Sequence, residues 1–215
     1  MTEQAKEVRV LLWRHAPTPD NAQGRLQGHT DTAFGADGRA LGLLAAKEII
    51  AQYGRPTVIV SSPLRRASES AQLLAQVAGH GVKVVIDEAL KQRSYGIWEG
   101  MTLVEVARQF PAELAVRNAG GDPDIAGWES GASVGERVSR AIAARCGELM
   151  ARAAGDALPL LVCVSHGSAI ASGVSHLLGL QDRSPIFGHL RHANWVELRY
   201  RDGVWAVERF NYGPS

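Results

Sequence analysis

The chain has 215 residues, 46% of them apolar and 21% charged, with a formal net charge of +1. That length supports a core of useful size and points to one domain across residues 1–215, while the near-neutral charge gives no reason to expect a nucleic-acid partner. No apolar run reaches the length of a membrane span, and the polar, acid-containing start does not resemble a signal peptide, so the expectation is a cytoplasmic protein with no membrane partner.

Val8 to Trp13 reads as a buried strand of β-forming and large apolar residues. It runs into Arg14-His15 and is stopped by Pro17 and Pro19. Residues 20–31 are polar and glycine-bearing and read as a long loop of the kind that carries function. A helix is predicted from Asp37 to Tyr53, stopped by Gly54 and Pro56. Thr57–Ser61 is a second strand, after which Ser62 is the expected N-cap and Pro63 the first residue of a helix through Ala78. A third strand covers Val82–Ile86, and residues 90–100 are irregular. Two short helices, Leu103–Phe110 and Ala112–Asn118, precede the loop Gly120–Asp124. A long alanine-rich helix is predicted from Val134 to Ala154. Leu160–Ser165 is the most apolar strand and so a candidate for the middle of a sheet; it ends in His166, and a helix runs on to Leu178. Strands Trp195–Tyr200 and Val204–Phe210 flank Asp202-Gly203, a hairpin signal. Strands alternating with helices predict a three-layer α/β/α sandwich: a mostly parallel central sheet with an antiparallel edge. Cys146 and Cys163 lie among apolar neighbours and read as buried thiols rather than a disulfide or metal site.

Three apolar strands thus end in cationic or imidazole groups: Arg14-His15, Arg65-Arg66 and His166. Taken singly, each allows an ordinary reading in which the arginine pairs with a carboxylate and the histidine fills a gap. Carboxyl ends of strands in an open α/β sheet are where ligands bind, and all three at one sheet edge would form an anion pocket. Two imidazoles and two guanidiniums around a phosphoryl group suit nucleophilic transfer: a neutral imidazole attacks phosphorus, and fixed charge stabilises the equatorial oxygens.

The motifs are more specific than their composition. Arg14-His15-Ala16-Pro17-Thr18 with Asn21, then Gly24–Gly28 and Asp31, resembles the opening motif of the histidine phosphatase superfamily, the phosphoglycerate mutase-like proteins. Ser61–Ala67 resembles its second motif, Leu90–Gly100 its third and Val164–Gly167 its fourth, in family order along nearly the whole chain. The resemblance implies that His15 becomes phosphohistidine and that Arg14, Arg66 and His166 hold the phosphoryl oxygens. It implies that Asn21 contacts the phosphate and that Gln27 and Gly28 shape the loop over the pocket. Arg66, not Arg65, falls on the family arginine, leaving Arg65 to solvent. A small phosphorylated metabolite is the implied partner; no cofactor and no metal are implied. His192 is placed near the pocket, with a surface role preferred, and His29, His80, His176 and His189 carry no motif. Quaternary state is open, a homodimer through an edge strand being one alternative.

The sequence departs from the family twice. Gln92 stands where the third motif usually carries the glutamate that protonates the leaving oxygen, and Ala132 stands where relatives often have another glutamate. An amide cannot give up a proton at neutral pH, and general acid catalysis is worth about 10²–10⁴-fold, so turnover should fall unless another acid serves. Glu88, Glu99 and Glu129 are the nearby carboxylates. The leading expectation is a metal-independent phosphatase acting on a small phosphomonoester, with Gln92 in the catalytic set. A mutase is the second enzymatic reading, disfavoured by the short stretch from Gly100 to Val134. A phospholigand-binding pseudophosphatase is the alternative that Gln92 and Ala132 motivate.

Overall fold

The computed structural model describes residues 7–152, 158–180 and 188–214. Six strands form one sheet in the order β3-β2-β4-β1-β5-β6. They are β1 (Glu7–Arg14), β2 (Val58–Ser61), β3 (Val84–Ile86), β4 (Leu160–Ser165), β5 (Trp195–Arg201) and β6 (Val204–Tyr212). β3, β2, β4 and β1 are parallel, and β5 and β6 close one side as an antiparallel hairpin. β4, wholly buried, is central, as its unbroken apolar run predicts.

Period-two alternation splits each inner strand between two cores. Val8, Val10 and Leu12 of β1, with Leu161 and Cys163 of β4, pack under α6 (Gly131–Arg152) and α7 (Gly167–Leu177). Leu11 and Trp13, with Leu160, Val162 and Val164, pack under α2 (Ala36–Tyr53) and α3 (Arg65–Ala78). The result is the expected three-layer α/β/α sandwich. A satellite core of Tyr95, Trp98 and Val106, with Met101, Phe110 and Trp128 against it, organises the segment holding α4 (Leu103–Gln109) and α5 (Pro111–Asn118). Gly96 anchors that segment at φ +55°, where an added Cβ would lie 2.0 Å from the Ala126 carbonyl.

Three local expectations need correction. The 20–31 loop begins with a one-turn helix, α1 (Pro19–Ala22), capped reciprocally by Thr18 and Asn21 with Pro19 at its first position. α3 starts at Arg65, not Pro63, and Ser62 is not its N-cap: the Ser62 hydroxyl is taken by His166 instead. α6 starts one turn early, at Gly131, whose N–H is met by the Asp122 carboxylate from a distant loop; its predicted end at Ala154 falls outside the described residues. Both cysteines are free and buried, and burial pushes both thiols up. No helix among the described residues is long and apolar enough to cross a membrane.

Candidate active site

The carboxyl ends of β1, β2 and β4 open on one cleft of about 700 Å³. The parallel pairing sets this: Arg14 is in register with Ser165, and Ser61 with Val164, so Arg14-His15, Ser62 and His166 leave the sheet side by side. The His15 and His166 rings lie 5.0 Å apart between centroids, and the His192 ring lies 5.1 Å from His15 on another side.

His15 is 3% exposed. Its Nδ1 lies 2.7 Å from the Ala16 carbonyl, which can only accept, so the proton is on Nδ1 and Nε2 carries a free lone pair. Burial, then the charge of Arg66, the His192 ring and the charge of Arg14, holds this imidazole well below its ordinary value, so it is neutral at physiological pH. His166 is fully buried behind it and does not itself line the cleft; its Nε2 shares a hydrogen bond with Ser62 Oγ at 2.9 Å.

Arg66 is 1% exposed, and both its terminal nitrogens donate to loop carbonyls, Nη1 to Thr30 and Nη2 to Gly28, each at 2.7 Å. The buried guanidinium therefore fixes the 28–30 loop. Gly28 is required there: at φ +53° a Cβ would strike the Glu99 carboxylate. Arg14 donates to the Leu190 carbonyl, to His192 Nε2 at 2.7 Å and to His189 Nε2 at 3.1 Å. Burial lowers both arginines to about 10, which leaves them charged at neutral pH. Among the described residues, buried side-chain atoms without a partner include Arg14 Nε, Arg66 Nε and His166 Nδ1. The two guanidinium Nε–H groups are buried donors that call for an acceptor, and both belong to full cations that line the cleft, so the arrangement suits an anion with several oxygens.

Asn21 and Gln27 line the cleft, while Gly28 acts through its backbone. Asn21 spends its carbonyl oxygen on Thr18, and Gln27 its own on the Thr32 hydroxyl, so each has its NH₂ group as the remaining polar end. Gln92 reaches the cleft with its carbonyl oxygen held by the Ser168 hydroxyl at 2.7 Å and by the Ala169 and Arg93 N–H groups. Backbone N–H groups can only donate, so that atom is the oxygen and NH₂ is the amide's remaining polar end.

None of the three nearby carboxylates takes the acid position. Glu88 is exposed and paired with Lys91. Glu99 binds the His29 and Tyr95 N–H groups and ties the 28–30 loop to the satellite core. Glu129 is held in a fork by Arg137; burial pushes its carboxyl up, but the Arg137 hydrogen bonds and charge bring it below the usual value. Ala132 is exposed and away from the cleft, so its side chain bears on nothing there. Arg65 is exposed and pairs with Glu69, as expected.

The preferred surface role for His192 is corrected: it is a cleft residue bonded to Arg14. His189 was not legible as a site residue at all, yet it lines the cleft and accepts from the same guanidinium. Their approach to Arg14 depends on the antiparallel pairing of β1 with β5, to which only the Asp202-Gly203 hairpin pointed.

One consequence concerns pH. Burial, followed by the neighbouring arginine charge, also lowers His166 and brings His192 down to about 3. The unfolded chain protonates such rings near an ordinary value of about 6.5, so below that pH the unfolded state binds protons that the native state refuses. Stability is complete above that pH and is lost as pH falls, by about 1.4 kcal/mol per pH unit for each ring. Thermal unfolding should therefore show a midpoint that falls steeply on acidification toward about pH 5, and His192→Asn should flatten the slope by about a third. A pH-independent midpoint over that range would contradict the burial of these rings.

The family model for the histidine phosphatase superfamily (branch 1) matches residues 10–213. A glucosyl-3-phosphoglycerate phosphatase of Mycolicibacterium vanbaalenii is 38% identical over 202 residues, covering 88% of this chain and 83% of that one. A probable phosphoglycerate mutase GpmB of Yersinia enterocolitica is 31% identical over 201 residues, covering 92% and 87%. Among solved structures, a mycobacterial glucosyl-3-phosphoglycerate phosphatase complexed with VO3 superposes with a TM-score of 0.84 at 31% identity, covering 96% of this chain and all of that one. With the motifs, the fold and these matches in agreement, the chain belongs to the histidine phosphatase superfamily, branch 1.

Proposed function

We propose that the protein hydrolyses a small phosphomonoester through a phosphohistidine at His15. The observation that carries this reading is the state of that ring: neutral, held by Ala16 through Nδ1, with the Nε2 lone pair free and the charges of Arg66 and Arg14 acting on it. Nε2 attacks phosphorus as the ester oxygen leaves, and water then attacks the phosphohistidine and releases phosphate. Arg14 and Arg66 stabilise the equatorial oxygens, with His166 and the Asn21 amide completing the cradle and Gln27 and Gly28 holding its loop wall. The charge is supplied by guanidinium groups, so the mechanism calls on no metal and no organic cofactor.

Two further arginines, Arg25 and Arg117, line the cleft. They favour a substrate with a second anionic group beside the phosphate, as a phosphoglycerate has in its carboxylate. The names of the glucosyl-3-phosphoglycerate phosphatase relatives support the same class. Gln92 favours a second reading, a module that binds the phosphoryl ligand without turnover. Rapid mixing with p-nitrophenyl phosphate separates the two: a stoichiometric burst of nitrophenol supports the enzyme, and binding without a burst supports the module. Gln92→Glu should raise the hydrolysis of alkyl phosphates by about 10-fold, and that of aryl phosphates less, because the new carboxyl protonates the poorer leaving group. An equal gain on both would contradict the acid position assigned to residue 92.

A further inference from the structure

An alkoxide leaving group needs a proton, and among the described residues no carboxylate lines the cleft. Gln92 has none to give. His192 and His189 both accept from Arg14 through Nε2, and the remaining proton of His192 is on Nδ1, aimed at the His15 carbonyl. Among the described residues one lining side chain remains with an ionisable O–H: Tyr95.

We propose that the Tyr95 hydroxyl is the proton donor to the leaving oxygen, taking over the work of the missing carboxylate. This rests on the phosphatase reading above. Its hydroxyl lies 3.2 Å from Ser168 Oγ. Ser168 spends its own proton on the Gln92 carbonyl oxygen, so Tyr95 donates to Ser168, and the three side chains form one chain of hydrogen bonds. Tyr95 thus sits one hydroxyl away from the residue that occupies the family's acid position. Its ring is 8% exposed and packed against Trp128, and the 3-10 turn after it is fixed by Gly96, so the hydroxyl is held in place.

The step balances. The Nε2–P bond forms as the P–O ester bond breaks, and the Tyr95 proton passes to the departing oxygen. The phenolate is held by Ser168, which can turn its proton from Gln92. In the second step the O–P bond to water forms, the N–P bond breaks, and one water proton returns to Tyr95.

The test is the rate of His15 phosphorylation across aryl phosphates graded from nitrophenyl to phenyl, in the unaltered protein and in Tyr95→Phe. The unaltered protein should show a shallow dependence on leaving-group basicity. In Tyr95→Phe the loss should grow along the series to about 10²-fold for phenyl phosphate, and Gln92→Glu in the same chain should restore the shallow dependence. A change in the fraction of folded protein scales every substrate alike and cannot steepen the series. A uniform loss, or no loss, would overturn the role of Tyr95 while leaving the phosphatase reading in place. Failure of the unaltered protein to become phosphorylated by nitrophenyl phosphate would overturn both.

Discussion

Replacing His15 with alanine is expected to lower phosphate release by about 10⁴-fold or more, the scale seen when a nucleophile is removed from a group that acts as a unit. Among the described residues no second lone pair is offered to the same position. His166 is wholly buried with Nε2 shared with Ser62, and His192 Nε2 already accepts from Arg14. The variant should still bind vanadate or phosphate, because Arg14 and Arg66 keep their charge and His15 Nδ1 contributes only to Ala16. Its fold should persist, since the ring's one hydrogen bond is to its neighbour's carbonyl. Steady-state hydrolysis of nitrophenyl phosphate, measured beside phosphate affinity, reads both outcomes. Residual turnover within about ten-fold of the unaltered protein would contradict the nucleophile assignment.

The second large effect is at Arg66. Arg66→Lys preserves the charge but loses the fork, which now holds Gly28 and Thr30 through its two termini while Nε lacks a partner. A lysine ammonium cannot hold both carbonyls and the phosphoryl oxygen in that geometry. We expect kcat/KM to fall by about 10²–10³-fold, as when a preorganised donor to developing charge is removed. Each loop carbonyl left buried and unpaired should cost about 1–3 kcal/mol of stability. The same substitution at Arg65 should do neither, because that side chain is exposed and paired only with Glu69. Kinetics and thermal unfolding of the two lysine variants make the comparison; similar behaviour at both positions would contradict the assignment.

Much of this site was legible because strand ends carry it. An apolar run that stops at Arg14-His15, Ser62 or His166 announces both the strand and the sheet edge it serves, and parallel pairing aligns the three. The choice of Arg66 over Arg65 came from the family resemblance, in which Arg66 directly precedes the motif's alanine, and in the folded chain Arg66 is buried while Arg65 is exposed. What stayed hidden depends on contacts far apart in the chain. His189 and His192 reach Arg14 only because β5 returns antiparallel to β1. Ser62 has the chemistry of an N-cap, but His166, more than a hundred residues on, claims its hydroxyl. Glu99 and Glu129 were candidates for a substitute acid, with a structural role preferred for Glu99, and each is tied up by partners that only the folded chain brings near. The α1 turn, by contrast, was missed although its signals were local: a threonine cap followed directly by proline.

The most direct measurement is the chemistry of the trapped intermediate. Mixing the protein with nitrophenyl phosphate, quenching in alkali and mapping the modified peptide by mass spectrometry should find one phosphoryl group on His15, stable to base, labile to acid and absent from His15→Ala. A phosphoryl group on any other residue, or turnover with none on His15 under conditions that preserve phosphohistidine, would contradict the account.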